Sequence, residues 1–144
     1  IQGLARANMI DQDWIHVVEG QSAVALTASD CTLIASGTAT LEAALARCPM
    51  VIAYKMPILS WWLTQRKRLQ PWVGLPNILA ERYVVPELLQ EDVTPDRLAA
   101  EAMRWLTDAH AHETACATFR ALHETLQMDT AKVASHAIQK VLAS

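Results

Sequence analysis

The chain has 144 residues, of which 52% are hydrophobic and 19% charged, and its formal net charge is −3. That length suits one domain, able to bury a core without a disulfide or a metal. The charge supplies no basic field, which argues against nucleic acid as a partner, and the apolar surplus calls for helices covering a sheet or for an apolar contact surface.

The opening residues, Leu4-Ala5-Arg6-Ala7-Asn8, read as the end of a helix. With Ile1 at the first position, the expectation is a piece of a longer polypeptide. Residues 14–18, WIHVV, form an apolar, β-branched run expected as a first strand. Gly20 and Gln21 follow, then a helical pattern through Ala23, Val24, Leu26 and Thr27. A second apolar run is CTLIA at 31–35. Thr38 to Arg47 is Ala/Leu-rich and reads as a helix, Pro49 stops it, and MVIAY at 50–54 is a third run. Short apolar runs alternating with helices predict parallel strands buried on both faces, in a doubly wound α/β layer sandwich. Ligands of such sheets sit beyond the carboxyl ends of the strands, where two turns are expected, Glu19-Gly20-Gln21-Ser22 and Ser36-Gly37-Thr38.

Further along, Pro57 opens a predicted helix through Trp61, Trp62, Leu63, Arg66 and Leu69. Residues 71–81 read as a loop, and Val84-Val85 as a short edge strand ended by Pro86. Three helices are expected at about 94–107, 110–127 and 129–143. Cys31, Cys48 and Cys116 are odd in number and widely spaced, which predicts free thiols in a reducing compartment. His110 and His112, two apart on a helix, point to different sides and read as surface histidines.

Two stretches carry chemistry. At Ser36-Gly37-Thr38 a strand turns into a helix, so free backbone N–H groups and the helix dipole face one spot. Gly37 lets a ligand approach the backbone, and Ser36, Thr38 and Thr40 offer hydroxyls. Glu42 lies one turn deeper on the face of Thr38, where a carboxylate can accept from two adjacent sugar hydroxyls. The pattern suits phosphate plus ribose; an ordinary tight turn with a favourably placed acid fits the same residues. The second stretch, ILSWWLTQRKRLQPW, interleaves tryptophans with Arg66, Lys67 and Arg68. It reads either as an amphipathic helix lying on lipid, or as Trp61 and Trp62 covering the sheet with a solvated cationic end.

The words SGTATLEAALARCPMVIAYK, LPNILAE and VVPELLQE, in that order and spacing, resemble the C-terminal part of the lipid-A-disaccharide synthase family. The resemblance covers most of the chain, from Asp30 to Gln90 and more loosely through Phe119, Arg120, Leu122 and His123. It implies the C-terminal half of a GT-B glycosyltransferase: an α/β, Rossmann-like three-layer sandwich with a parallel sheet and a helical C-terminal tail. Residues 1–90 would form a partial UDP-sugar-binding domain. Residues 91–144 would be helices packing on that domain, on a partner half or on another subunit.

The implied reaction is inverting transfer of 2,3-diacylglucosamine from its UDP derivative to 2,3-diacylglucosamine 1-phosphate, without cofactor or metal. It would take place on the cytoplasmic face of the inner membrane of Gram-negative bacteria. Carried over by position, Ser36, Gly37 and Thr38 would receive the diphosphate, and Glu42 would hold the ribose hydroxyls. Asn77 would lie near the donor, and Gly20 and Gln21 near the uracil or the diphosphate. Glu87 and Gln90 match the family pattern, either as ligand contacts or as a helix start and a surface amide. Glu81 departs from the small residue common after Ile-Leu-Ala.

The acceptor-binding half and its candidate general base are not in this sequence, and neither is the Gly-Ser-Arg loop that opens the family's donor half. The acceptor is therefore expected to bind mainly elsewhere. This chain alone is expected to bind UDP weakly and to transfer nothing, and it is assigned no catalytic residue. Family members exchange C-terminal segments between subunits, which makes a homodimer one expected arrangement, with the inner-membrane surface as a further contact. The runner-up readings are the donor half of another UDP-GlcNAc-type GT-B enzyme, and a nucleotide-binding fragment without catalysis.

Overall fold

A computed structural model describes residues 15–35, 37–67, 70–127 and 130–142. The expected helix end at Leu4–Asn8, Trp14 of the first apolar run and Ser36 of the turn lie outside the described residues. The elements run α1 (Ser22–Ala28), β1 (Thr32–Ile34), α2 (Thr38–Leu45), β2 (Met50–Tyr54), α3 (Ile58–Lys67) and α4 (Leu75–Ala80). They continue with β3 (Glu87–Leu89), a 3₁₀ turn at Gln90–Asp92, α5 (Pro95–Thr107), α6 (Ala109–Leu126) and α7 (Thr130–Leu142).

The three strands form one parallel sheet in the order β1-β2-β3, with Thr32 opposite Met50 and Ile52 opposite Glu87. Met50, Val51 and Ile52 are all fully buried. Successive strand residues face opposite sides, so both faces of the central strand are covered. This is the expected Rossmann-like α/β arrangement with a helical tail. α2 and α5 both pack on β1 and β2, and α6 packs on α2, α4 and α5. The core joins Ala43 and Ala44 of α2 to Trp105 of α5 and to Ala115, Phe119 and Leu122 of α6. The indole N–H of Trp105 donates to the Met50 carbonyl at 3.0 Å, so a large buried ring is also polar-satisfied.

Two side-chain caps set the last two core helices. Thr94 Oγ1 accepts from Arg97 N ahead of α5, where Pro95 stands at the helix start, and Asp108 Oδ1 accepts from Ala111 N ahead of α6. Gly74 is required by space. A Cβ there would meet Ile52 Cδ1 at 2.2 Å.

Four expectations are corrected. Among the described residues, 15–18 pair with no strand, and Val17 and Val18 are exposed. The third strand is Glu87–Leu89 rather than Val84-Val85. The backbone of those two valines is already engaged: both N–H groups donate to Asn77 Oδ1, and the Val85 carbonyl accepts from Asn77 Nδ2. Leu75–Ala80, read as loop, is a short helix started at Pro76. Trp62 does not cover the sheet, because it is 49% exposed, while Trp61 is half-buried.

Candidate functional site

β1 ends at Ile34, and α2 begins at Thr38 behind Gly37, whose φ of 119° lies in territory that favours glycine. No described side chain caps α2, and nothing lies within 4 Å of where a Gly37 Cβ would be. Thr40 N donates to the Gly37 carbonyl at 3.1 Å, so the first-turn N–H groups available to a ligand are those of Thr38 and Ala39, at the carboxyl edge of the sheet and the positive end of the helix. Thr38 and Glu42 are both exposed and share one helix face at i,i+4. An anion in front of Gly37 and a diol against Glu42 could be held at once.

Gly20, with φ of 69°, and Gln21 precede α1, which packs on α2; both are exposed, and Gln21 makes no capping bond.

Thr40 differs from its expected role. It is fully buried, and its hydroxyl donates inward to the Gly37 carbonyl at 2.7 Å rather than toward a ligand. The same oxygen accepts from Leu75 N at 3.3 Å. One hydroxyl therefore fixes the turn and ties it to the loop before α4.

That loop is held in turn by Glu87, the first residue of β3. Its carboxylate accepts from Val73 N and Gly74 N, each at 2.9 Å, and from Asn77 Nδ2 at 2.8 Å. Asn77 is fully buried. Its amide donates to Glu87 and to the Val85 carbonyl, and its oxygen accepts from Val84 N and Val85 N. A carboxamide has two donors and two acceptor lone pairs, so the Asn77 side chain is saturated by protein.

Gln90 closes the frame. It is 7% exposed, in a left-handed conformation at φ 53°, and its amide grips Met56 on both sides, accepting from the backbone N–H and donating to the carbonyl. Neither bland reading of the VVPELLQE word survives. Glu87 starts a strand, and Gln90 is a buried clamp on the β2–α3 loop. Sequence reasoning missed these roles because a buried amide or carboxylate bonded to backbone has no spacing signature.

Residues 5–141 match the family model described as lipid-A-disaccharide synthetase. The chain belongs to the lipid-A-disaccharide synthase family. It is 52% identical over 146 residues to the lipid-A-disaccharide synthase of Albidiferax ferrireducens, covering 99% of this chain and 37% of that protein. It is 48% identical over 147 residues to that of Verminephrobacter eiseniae, again covering 99% of this chain and 37% of the relative. The lipid-A-disaccharide synthase of Pectobacterium atrosepticum is 43% identical over 128 residues, 89% of this chain and 33% of its own length. The chain thus spans little more than a third of these relatives.

The exposed residues Gly37, Thr38 and Glu42 sit on a frame made by Thr40 and Asn77, both fully buried, and the half-buried Glu87. The frame holds the exposed turn in shape through the Thr40 hydroxyl, which bonds Gly37 and Leu75.

Proposed function

We propose that this chain is the donor-binding portion of a lipid-A-disaccharide synthase, holding the UDP part of UDP-2,3-diacylglucosamine. The observation that carries the reading is the uncapped start of α2 behind Gly37, with Glu42 exposed one turn further in. Backbone N–H groups of that first turn, with the Thr38 hydroxyl, receive the diphosphate. The two carboxylate oxygens of Glu42 accept from the two ribose hydroxyls. Gly20 and Gln21 lie toward the uracil or the diphosphate.

In the transfer, the bond from the anomeric carbon to the diphosphate breaks as the acceptor sugar hydroxyl attacks from the opposite face. Negative charge then grows on the departing UDP. The positive end of α2 stabilises that charge more than it stabilises the intact donor, which lowers the barrier. The group that removes the acceptor proton, and most of the acceptor contacts, belong to parts of the longer enzyme outside this sequence. The chain by itself is therefore inactive in transfer, and the intact enzyme works at the cytoplasmic face of the inner membrane.

Titration calorimetry with UDP tests this on the intact polypeptide. Glu42→Ala removes two hydrogen bonds to a charged acceptor, and should weaken UDP binding about 10- to 100-fold. Equal affinity for UDP and for uracil with inorganic diphosphate together would show that the ribose is not held, and unchanged affinity in Glu42→Ala would remove Glu42 from the site.

A further inference from the structure

α3 starts four residues after β2 ends, and the Gln90 grip on Met56 fixes the connection, so the helix stands at the same sheet edge as the Gly37 turn. Ile58 is 76% exposed, Leu59 72%, Trp62 49% and Leu63 50%. At about 100° per residue these four and Arg66 fall within one arc of about 140°, a single continuous ridge. Arg66 lies over the Trp62 ring, 3.7 Å from its centroid. Stacking keeps the ring outward and sets a cation at the ridge's end.

Charge is distributed unevenly around this helix. From the end of β2 at Tyr54 through Ala80 the sequence contains no Asp or Glu, although the chain has 15 acids, and it holds Lys55, Arg66, Lys67 and Arg68 of its 12 Lys and Arg. An acid-free, cation-rich stretch of sequence that carries a Trp-bearing apolar ridge with Arg66 stacked on it complements one kind of surface, a bilayer with anionic headgroups. Apolar side chains enter the acyl boundary there, the indole sits at headgroup level, and the cations meet phosphate. A second copy of the same face would bring two cationic tracts together without a counter-charge.

We propose that α3 is an interfacial docking helix, placing Ile58, Leu59, Trp62 and Leu63 in an anionic lipid surface with Arg66 at its headgroups. The bilayer then lies beside the sheet edge that carries Gly37 and Glu42. This inference is independent of nucleotide binding, since it rests on a different element.

The test is co-sedimentation of the intact polypeptide with vesicles of equimolar phosphatidylglycerol and phosphatidylcholine, against pure phosphatidylcholine. Two variants are compared with the parent, Ile58→Ser/Leu59→Ser/Trp62→Ser and Arg66→Glu. The expected result is binding to the anionic vesicles that weakens with salt and falls about tenfold or more in each variant, at unchanged melting temperature. Three results overturn the proposal. The parent binds neutral vesicles equally well, the triple variant binds anionic vesicles as the parent does, or the triple variant melts early or changes oligomeric state with vesicle binding intact. The last result would assign the ridge to a protein contact.

Discussion

The buried Asn77 amide and the half-buried Glu87 carboxylate meet at 2.8 Å, and between them they bind five backbone groups, in residues 73–74 and 84–85. Two polar side chains thereby do what a strand pairing would otherwise do. They stop two loops from exposing unpaired backbone in the interior.

Asn77 is consequently a stability residue whatever else it does. Asn77→Ala strands Val84 N, Val85 N and the Val85 carbonyl, and leaves Glu87 short of a donor. Urea unfolding should show a loss of at least about 3 kcal/mol. A variant as stable as the parent but unable to bind UDP would instead make Asn77 a direct ligand contact.

Thr40→Val keeps shape and β-branching but removes the hydroxyl between Gly37 and Leu75. The expected cost is about 1–3 kcal/mol, accompanied by weaker UDP binding, because the turn loses its tie to the α4 loop. Thr40→Ser should recover most of both. Full UDP affinity in Thr40→Val would show that the turn keeps its shape without that bond.

Glu81 ends α4 with φ of 51°, a left-handed position that a side chain disfavours. Glu81→Gly should raise stability by about 0.5–1 kcal/mol in thermal melts. Glu81 therefore carries a local cost in stability at this helix end that a glycine there would not.

Burial, then the neighbouring thiols Cys31 and Cys116 and Asp30, push the Cys48 thiol up to about 11. Burial also raises Cys31 and Cys116. The unfolded chain gives up the Cys48 proton near the ordinary thiol value of 9.0, while the folded protein still holds it. Between those values the unfolded state binds fewer protons, so this contribution to stability is intact below about 9 and declines as pH rises toward 11. Alkylation under mildly alkaline native conditions, followed by peptide mass spectrometry, should label Cys31 and Cys116 well before Cys48.

The central sheet and its two nearest crossings were legible because their signals are long or uninterrupted. MVIAY is a strand over its whole length, and the last three helices begin and end within about two residues of their expected limits. The misreadings share one cause. WIHVV and Val84-Val85 have strand composition, but a strand needs a neighbour, and in the second case one asparagine side chain takes the backbone groups a neighbour would use. The six-residue α4 is too short to show a helical period. At the candidate site, Gly37 and Glu42 could be found from the turn and the i,i+4 spacing. Thr40 was aimed outward, although Ala43 and Ala44, three and four residues on, mark the same buried stripe. Glu87 and Gln90 carried no local signal, since their partners lie 10 to 34 residues away in sequence.

The contact of Gly74 with Ile52 couples two positions by size. The methyl that a Cβ at 74 would strike is Ile52 Cδ1, the one carbon that separates isoleucine from valine; the next carbon in that direction, Cγ1, stands at an ordinary 3.6 Å. Gly74→Ala alone should therefore destabilise by overpacking, about 1–3 kcal/mol, whereas Gly74→Ala with Ile52→Val should regain part of that loss, the remainder staying with Glu87 Oε1, 3.1 Å from the same Cβ position. Such a pair moves through sequence space in step: the loop under the Gly37 turn can acquire a side chain only after the central strand has surrendered a methyl group.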